Sequence, residues 1–197
     1  MKTVRVGFTL FTLIFALAIM PAFATNVSGT ISTNTTWDLA GSPYIVTGAV
    51  TIEGAAGPIL TIQSGVTVQF NSGTYLYIGS SNPGGIVAVG SPGNPITFTG
   101  TTKSPGQWGI YLNSQTISTA AKFDHCIMEY GGYAGSYTLY MSGGGLDIRH
   151  TIIRNGTGNA FNASGTLSPF TISSCTVQNY SGYGINGGAT NPIITNC

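Results

Sequence analysis

The sequence predicts an all-β fold, a parallel β-helix (a solenoid) of three short strands per coil, with about five complete coils and a partial sixth. Three observations carry that expectation. No helical periodicity survives beyond residue 24; short apolar-polar-apolar triplets dominate, separated by Gly, Asn, Ser and Pro. Charged residues make up only 6% of the chain, against about 25% in an ordinary globular protein, while hydrophobic residues reach 42%. Disorder needs the opposite balance, so the chain folds. Finally, the later part aligns with itself: "FDHCIMEY" (123–130), "IRHTIIRN" (148–155), "ISSCTVQN" (172–179) and "ITNC" (194–197) follow at offsets of 25, 24 and 22 residues.

The elements follow in chain order. Residues 1–24 read as a secretory signal peptide: Lys2 and Arg5, an apolar run from Val6 to Met20, and the small-residue exit Ala22-Phe23-Ala24. Cleavage there leaves four basic and five acidic residues. A nearly neutral surface offers no electrostatic footprint for nucleic acid or anionic membrane, and no later apolar run is long enough to span a bilayer. Residues 25–45 are expected to form an N-terminal cap or first-strand region, and 46–197 the β-helix. A first set of strands reads "VTI" (50–52), "YLYI" (75–78), "WGIYL" (108–112), "YTLYM" (137–141), "NAF" (159–161) and "GYGI" (182–185). A second reads "LTI" (60–62), "IVAV" (86–89), "KFD" (122–124), "LDI" (146–148), "FTI" (170–172) and "PII" (192–194). A third reads "VTVQF" (66–70), "ITFT" (96–99), "CIMEY" (126–130), "TIIRN" (151–155) and "CTVQN" (175–179), with an insertion-like loop "GTTKSPGQ" at 100–107. One such coil cannot bury its apolar side chains alone; stacking on the next one does.

The segments "SPYIVTGAVTIEG", "LTIQSGVTVQF", "GSPGNPITFTG", "GQWGIYL" and "NPIITNC" resemble the right-handed parallel β-helix repeat proteins of secreted bacterial origin, which share the pectin-lyase-like fold. The resemblance runs from about residue 29 to 197. It implies a right-handed coil and an extracellular or cell-surface (bacterial envelope) location. It leaves activity open, because that fold carries many functions.

The repeat register assigns roles. The second and third strands meet at a sharp bend, at His125, His150, Ser174 and Asn196. Such a corner takes a left-handed backbone, where Asn, Asp and His are enriched among non-glycine residues. The two histidines sit in adjacent coils and could pair on a metal. A metal wants a third or fourth ligand, and only Asp124 and Cys126 are near in sequence, so the corner role is preferred and neither metal nor cofactor is expected. Just after each bend come Cys126, Thr151, Cys175 and Cys197, expected as an inward ladder of small buried residues. Cys175 and Cys197 lie one coil apart, close enough for a disulfide, although parallel in-register side chains seldom present the needed geometry. Lys122 aligns with Asp147, Asp124 with Arg149 and Glu129 with Arg154, each expected as an outward cross-coil ion pair.

Function then divides two ways. A polysaccharide lyase or glycoside hydrolase, as several relatives of this fold are, needs clustered carboxylates with a base or an acid partner. The first-set strands contain no carboxylate, Glu53 lies just past one, and Asp38 sits near the cap. The acid–base cluster of Asp124, Glu129, Asp147, Arg149 and Arg154 reads instead as ladder partners, so no catalytic residue is assigned. The favoured expectation is a non-catalytic scaffold or recognition module, adhesin-like, whose partner is a cell-surface or environmental polysaccharide. Tyr77, Tyr111 and Tyr140 lie outward between inward apolar neighbours in successive coils, with Tyr183 extending the row; such rings suit stacking on sugars. The final "NPIITNC" supplies a second strand, the corner Asn196 and one inward residue. The chain is therefore expected to be a fragment cut inside a coil, with more β-helix or an anchoring module beyond it.

Overall fold

A computed structural model describes residues 23–164, 170–187 and 192–197; the expected signal segment lies outside these but for its last two residues. Strands β1 (Thr25–Ile31), β2 (Thr35–Trp37), β3 (Tyr44–Ile52) and β4 (Ile59–Ile62) open the chain. Next come β5 (Thr67–Phe70), β6 (Thr74–Ile78) and β7 (Gly84–Val89), then β8 (Ile96–Gly100), β9 (Trp108–Leu112) and β10 (Thr116–Asp124). They are followed by β11 (Cys126–Glu129), β12 (Tyr137–Met141) and β13 (Leu146–Arg149), and by β14 (Ile152–Arg154), β15 (Asn159–Ala163) and β16 (Phe170–Ser173). The last are β17 (Thr176–Gln178), β18 (Ile185–Gly187) and β19 (Ile193–Thr195).

Every ladder between these strands is parallel, and each strand pairs with its equivalents one coil above and below. The first wall stacks the end of β3, β6, β9, β12, β15 and β18; the second stacks β2, β4, β7, β10, β13, β16 and β19. The third stacks the start of β3, β5, β8, β11, β14 and β17. Three walls are thus built from two sheets, because β3 runs through the corner unbroken: Tyr44–Val46 pairs with β5 and Val50–Ile52 with β6. β1 follows the same course on the other side of β3, shifting register between Val27 and Gly29. This is a right-handed parallel β-helix, the hand that parallel strand crossovers take. Residues 25–45 hold β1 and β2, which pair with β3 and β4.

The strand period of two sends alternate residues inward, where like residues stack. The first wall contributes Leu76, Ile110, Leu139 and Phe161, the second Leu60, Ile86, Phe123 and Ile148, and the third Val68, Phe98 and Met128, all essentially without solvent exposure. Trp108 lies inside the coil, its ring stacked on Phe70 at 4.5 Å, and its indole N–H donates to the Glu129 carbonyl (3.0 Å). That bond satisfies the one polar atom this large apolar side chain brings into the core.

The second-to-third-wall corners have φ of 48° at His125, 44° at His150, 53° at Ser174 and 55° at Asn196. A second column of left-handed corners follows the third wall, at Tyr130, Asn155 and Asn179. The corners keep the coil-to-coil hydrogen bonds: His125 N–H donates to Arg149 O, His150 N–H to Ser173 O and Ser174 N–H to Thr195 O. Among the described residues, no helix is long and apolar enough to cross a membrane.

Candidate functional site

The first wall carries the most distinctive surface. Tyr77, Tyr111 and Tyr140 are direct register partners in successive coils, outward and half-buried. Their rings meet edge to face or tilted, Tyr77 to Tyr111 at 5.1 Å between centroids and Tyr111 to Tyr140 at 5.8 Å. Three tyrosines that the sequence pattern did not single out complete the patch. Tyr75 packs on Tyr77 at 4.5 Å, Tyr133 reaches Tyr75 at 5.6 Å, and Tyr137 stacks on Tyr140 at 5.1 Å. Tyr75 was legible, since it lies two residues before Tyr77 and therefore on the same side of the strand. Gly109 makes room at the centre: a Cβ there would lie 3.1 Å from both the Tyr111 ring and the Tyr137 carbonyl oxygen.

Tyr183 does not extend this row. It precedes β18, is 68% exposed, and its N–H donates to Asn159 Oδ1. The row continues instead through Asn162 and Asn186, opposite Tyr140 in register and joined by an amide hydrogen bond of 2.7 Å. The connection between β17 and β18 is longer than the repeat implied, which displaces the tyrosine from the strand.

Burial and the neighbouring phenols push the Tyr111 hydroxyl up to about 12. Burial first, and Tyr75 second, also raise Tyr77. Both shifts favour the protonated phenols of Tyr77 and Tyr111, which present hydroxyl donors and acceptors on aromatic edges. No strand of the first wall contains a charged residue.

The expected charge pairs are opposite in register, but only one of the three is an ion pair. Arg154 reaches Glu129 at 3.0 Å, with Thr99 donating to the other carboxylate oxygen (3.3 Å). Asp124 is the register partner of Arg149, and Lys122 of Asp147. Arg149 nevertheless turns along its own strand, its Nε donating to Asp147 Oδ1 at 2.7 Å. Residues two apart share one side of a strand, about 6.6 Å apart, so Asp147 is within reach of the long Arg149 side chain even though the coil below is closer. Asp124 faces the corner histidines instead, and Lys122 forms no ion pair among the described residues. A shallow concavity of about 270 Å³ lies over this part of the second wall, lined by Val89, Lys122, Asp124, Asp147 and Arg149 among others.

The remaining acids are also engaged. Asp38 accepts the Gly41 N–H at a short turn, and Glu53 accepts the N–H groups of Ser81 and Asn82 (2.6 and 3.3 Å). Each of the five carboxylates is thus held by partners of its own structure.

Cys126, Thr151, Cys175 and Cys197 form one column beside the corners, with a shared chemistry. Each donates to the carbonyl two residues back, across the bend: Cys126 to Asp124 (3.5 Å), Thr151 to Arg149 (2.7 Å), Cys175 to Ser173 (3.2 Å) and Cys197 to Thr195 (3.3 Å). A small side chain with one weak or strong donor fits this place, which is why both thiol and hydroxyl occur in it. The three cysteines are free, so no disulfide joins Cys175 to Cys197. Burial pushes the Cys126 thiol up to about 12, and the nearby Asp124 carboxylate adds to the effect.

At the corner itself the two histidines stack at 4.6 Å with nearly parallel rings. The Nδ1 atoms of His125 and His150 lie 2.8 and 2.9 Å from the same oxygen, Asp124 Oδ1.

Fold and surface together define a parallel β-helix whose walls differ in chemistry, one with aromatic, uncharged strands, the others carrying the ion pairs found among the described residues. A family model described as a pectate-lyase-like β-helix domain matches residues 29–180, and the chain belongs to this family. No curated protein and no solved structure matches it.

Proposed function

We propose that this protein is a secreted or cell-surface recognition module, in which a rigid β-helix displays the tyrosine patch of the first wall to a glycan. The observation that carries the reading is the row Tyr77–Tyr111–Tyr140, repeated once per coil and widened by Tyr75, Tyr133 and Tyr137. Aromatic rings with polar tips offer a sugar both its apolar C–H face and its hydroxyls a partner. The absence of charge from the first-wall strands favours a neutral glycan over a polyuronate, whose carboxylates would call for lysine or arginine. Rings already packed against one another lose little freedom on binding, which preserves affinity. The amino-terminal segment with its Ala22-Phe23-Ala24 exit supports export, and bacterial envelope polysaccharides are the natural partners in that setting.

A second reading follows from the family: a lyase or glycosidase, whose acid–base groups would be those around the second-wall concavity, Lys122, Asp124, Asp147 and Arg149. Against it stands the Asp147–Arg149 contact, which occupies both an acid and a base. One experiment separates the two. Neutral and acidic polysaccharides are presented to the protein, measuring binding by calorimetry and cleavage by the new reducing ends or unsaturated products. Binding of a neutral glycan without turnover supports recognition; turnover that disappears in Asp147→Asn supports the second reading and refutes the first.

A further inference from the structure

The corner between the second and third walls brings three ligand-type side chains together. Asp124, His125 and His150 present one carboxylate oxygen and two imidazole nitrogens, all within 4.8 Å of one another. The fold explains the meeting. His125 and His150 occupy equivalent left-handed corners one coil apart, so their side chains leave the backbone in the same direction and their rings stack. Asp124 is the last residue of β10, immediately before its corner, and its Oδ1 lies against both Nδ1 atoms.

We infer that these three residues form a binding site for a borderline divalent transition ion of the zinc class, clamping two successive coils. Two imidazoles and one carboxylate are the donor set such ions prefer, and three protein ligands leave a position open to solvent or to an exogenous donor. The distances are close to those required. Ligands about 2.1 Å from a tetrahedral ion lie about 3.4 Å apart, so the carboxylate oxygen, now 2.8 and 2.9 Å from the two Nδ1 atoms, would withdraw by about half an ångström, within a cluster whose ligand atoms all lie within 4.8 Å of one another. Side-chain exposures of 24% for His125, 30% for Asp124 and 50% for His150 leave the cluster reachable from solvent without unfolding. Beside the two rings lies a concavity of about 170 Å³, bounded in part by Ser91, Pro92 and Pro95.

Without the ion, His150 Nδ1 hydrogen-bonds Asp124 Oδ1 and His125 Nδ1 lies 2.8 Å from the same oxygen, so a ring that carries its proton on Nδ1 shifts it to Nε2 when the ion binds. Coordination takes the Nδ1 lone pairs, and each neutral imidazole then carries its proton on Nε2 toward solvent. Protons are conserved, and no oxidant or reductant is required. Cys126 is no ligand, since its thiol points inward to the Ala88 and Asp124 carbonyls. The guanidinium of Arg149, the register partner of Asp124, is held on its own strand by Asp147.

The test uses the whole exported chain without a histidine tag, titrated with zinc chloride by calorimetry. One ion per chain is expected. Affinity should fall by roughly tenfold or more in each of His125→Asn, His150→Asn and Asp124→Asn, and binding should vanish in the double histidine variant. Asparagine tolerates the left-handed corner, so these variants keep the coil, and an unchanged β-sheet circular dichroism spectrum checks that they do. Cys197→Ser should bind as the parent does. No saturable binding by the parent, binding that survives in the double variant, or binding lost in Cys197→Ser would each overturn the inference. None of these outcomes depends on whether the tyrosine patch binds glycans.

Discussion

Replacing Tyr111 with alanine probes whether the first-wall tyrosines act as one packed unit. Tyr111 is half-buried at the centre of the row, with ring neighbours Tyr77 at 5.1 Å, Tyr140 at 5.8 Å and Tyr75 at 6.1 Å. Truncation removes about 100 Å² of buried aromatic surface, about 2.5 kcal/mol at about 25 cal/mol per Å². Each ring pair lost adds up to about 1 kcal/mol, and relaxation of the neighbours into the gap returns part of it. A net destabilisation of about 2–4 kcal/mol is expected, read as a lower midpoint in guanidinium unfolding. The control is Tyr183→Ala, a site exposed and outside the row, where a change within about 0.5 kcal/mol is expected. A Tyr111→Ala midpoint equal to that of the parent, or an equal loss at Tyr183, would refute the packed array.

Other expectations concern the same walls. With a thiol reagent at neutral pH, the native protein should label at the exposed Cys197, while the buried Cys126 and Cys175 react only after unfolding; rapid labelling of all three would contradict the inward column. Burial pushes both Tyr111 and Tyr180 up to about 12 from an ordinary value of 10.0. Folded-state values above the unfolded one give stability that is fully present below about pH 10 and is lost as pH rises through about 12. An alkaline transition in that window should coincide with the late part of the phenolate absorbance titration; full stability at pH 12 would contradict the burial. Gly109→Val would press its side chain on the Tyr111 ring and the Tyr137 carbonyl, so glycan binding should weaken along with about 1–3 kcal/mol of stability, measured by calorimetry and unfolding.

How far the sequence could be read depends on which physical rule each feature obeys. The walls and corners follow from local rules that repeat: alternation along a strand, and left-handed backbone at His125, His150, Ser174 and Asn196. A period of 22 to 25 residues then fixes which residues are neighbours, as with Glu129 and Arg154. The register does not fix which neighbour a long side chain selects. Arg149 chose Asp147 on its own strand over Asp124 below it, and that released Asp124 to the histidines. Connections between walls vary in length, so residues near them escape the pattern: Tyr133 joins the patch from the turn before β12 and Tyr137 from the first position of that strand, and Tyr183 leaves it. The common role of thiols and threonine at the inner corner was also hidden, because it lies in a hydrogen bond two residues back rather than in apolarity.

The tyrosine patch of the first wall is the proposed glycan-binding surface. The direct measurement is binding of neutral polysaccharides by the parent and by the triple variant Tyr77→Ala, Tyr111→Ala, Tyr140→Ala, with circular dichroism confirming the β-helix in both. Saturable binding by the parent, weakened by about tenfold or more in the triple variant (about 1.4 kcal/mol), is the predicted result. Equal binding by the folded triple variant, or no binding of any neutral glycan by the parent, would contradict it.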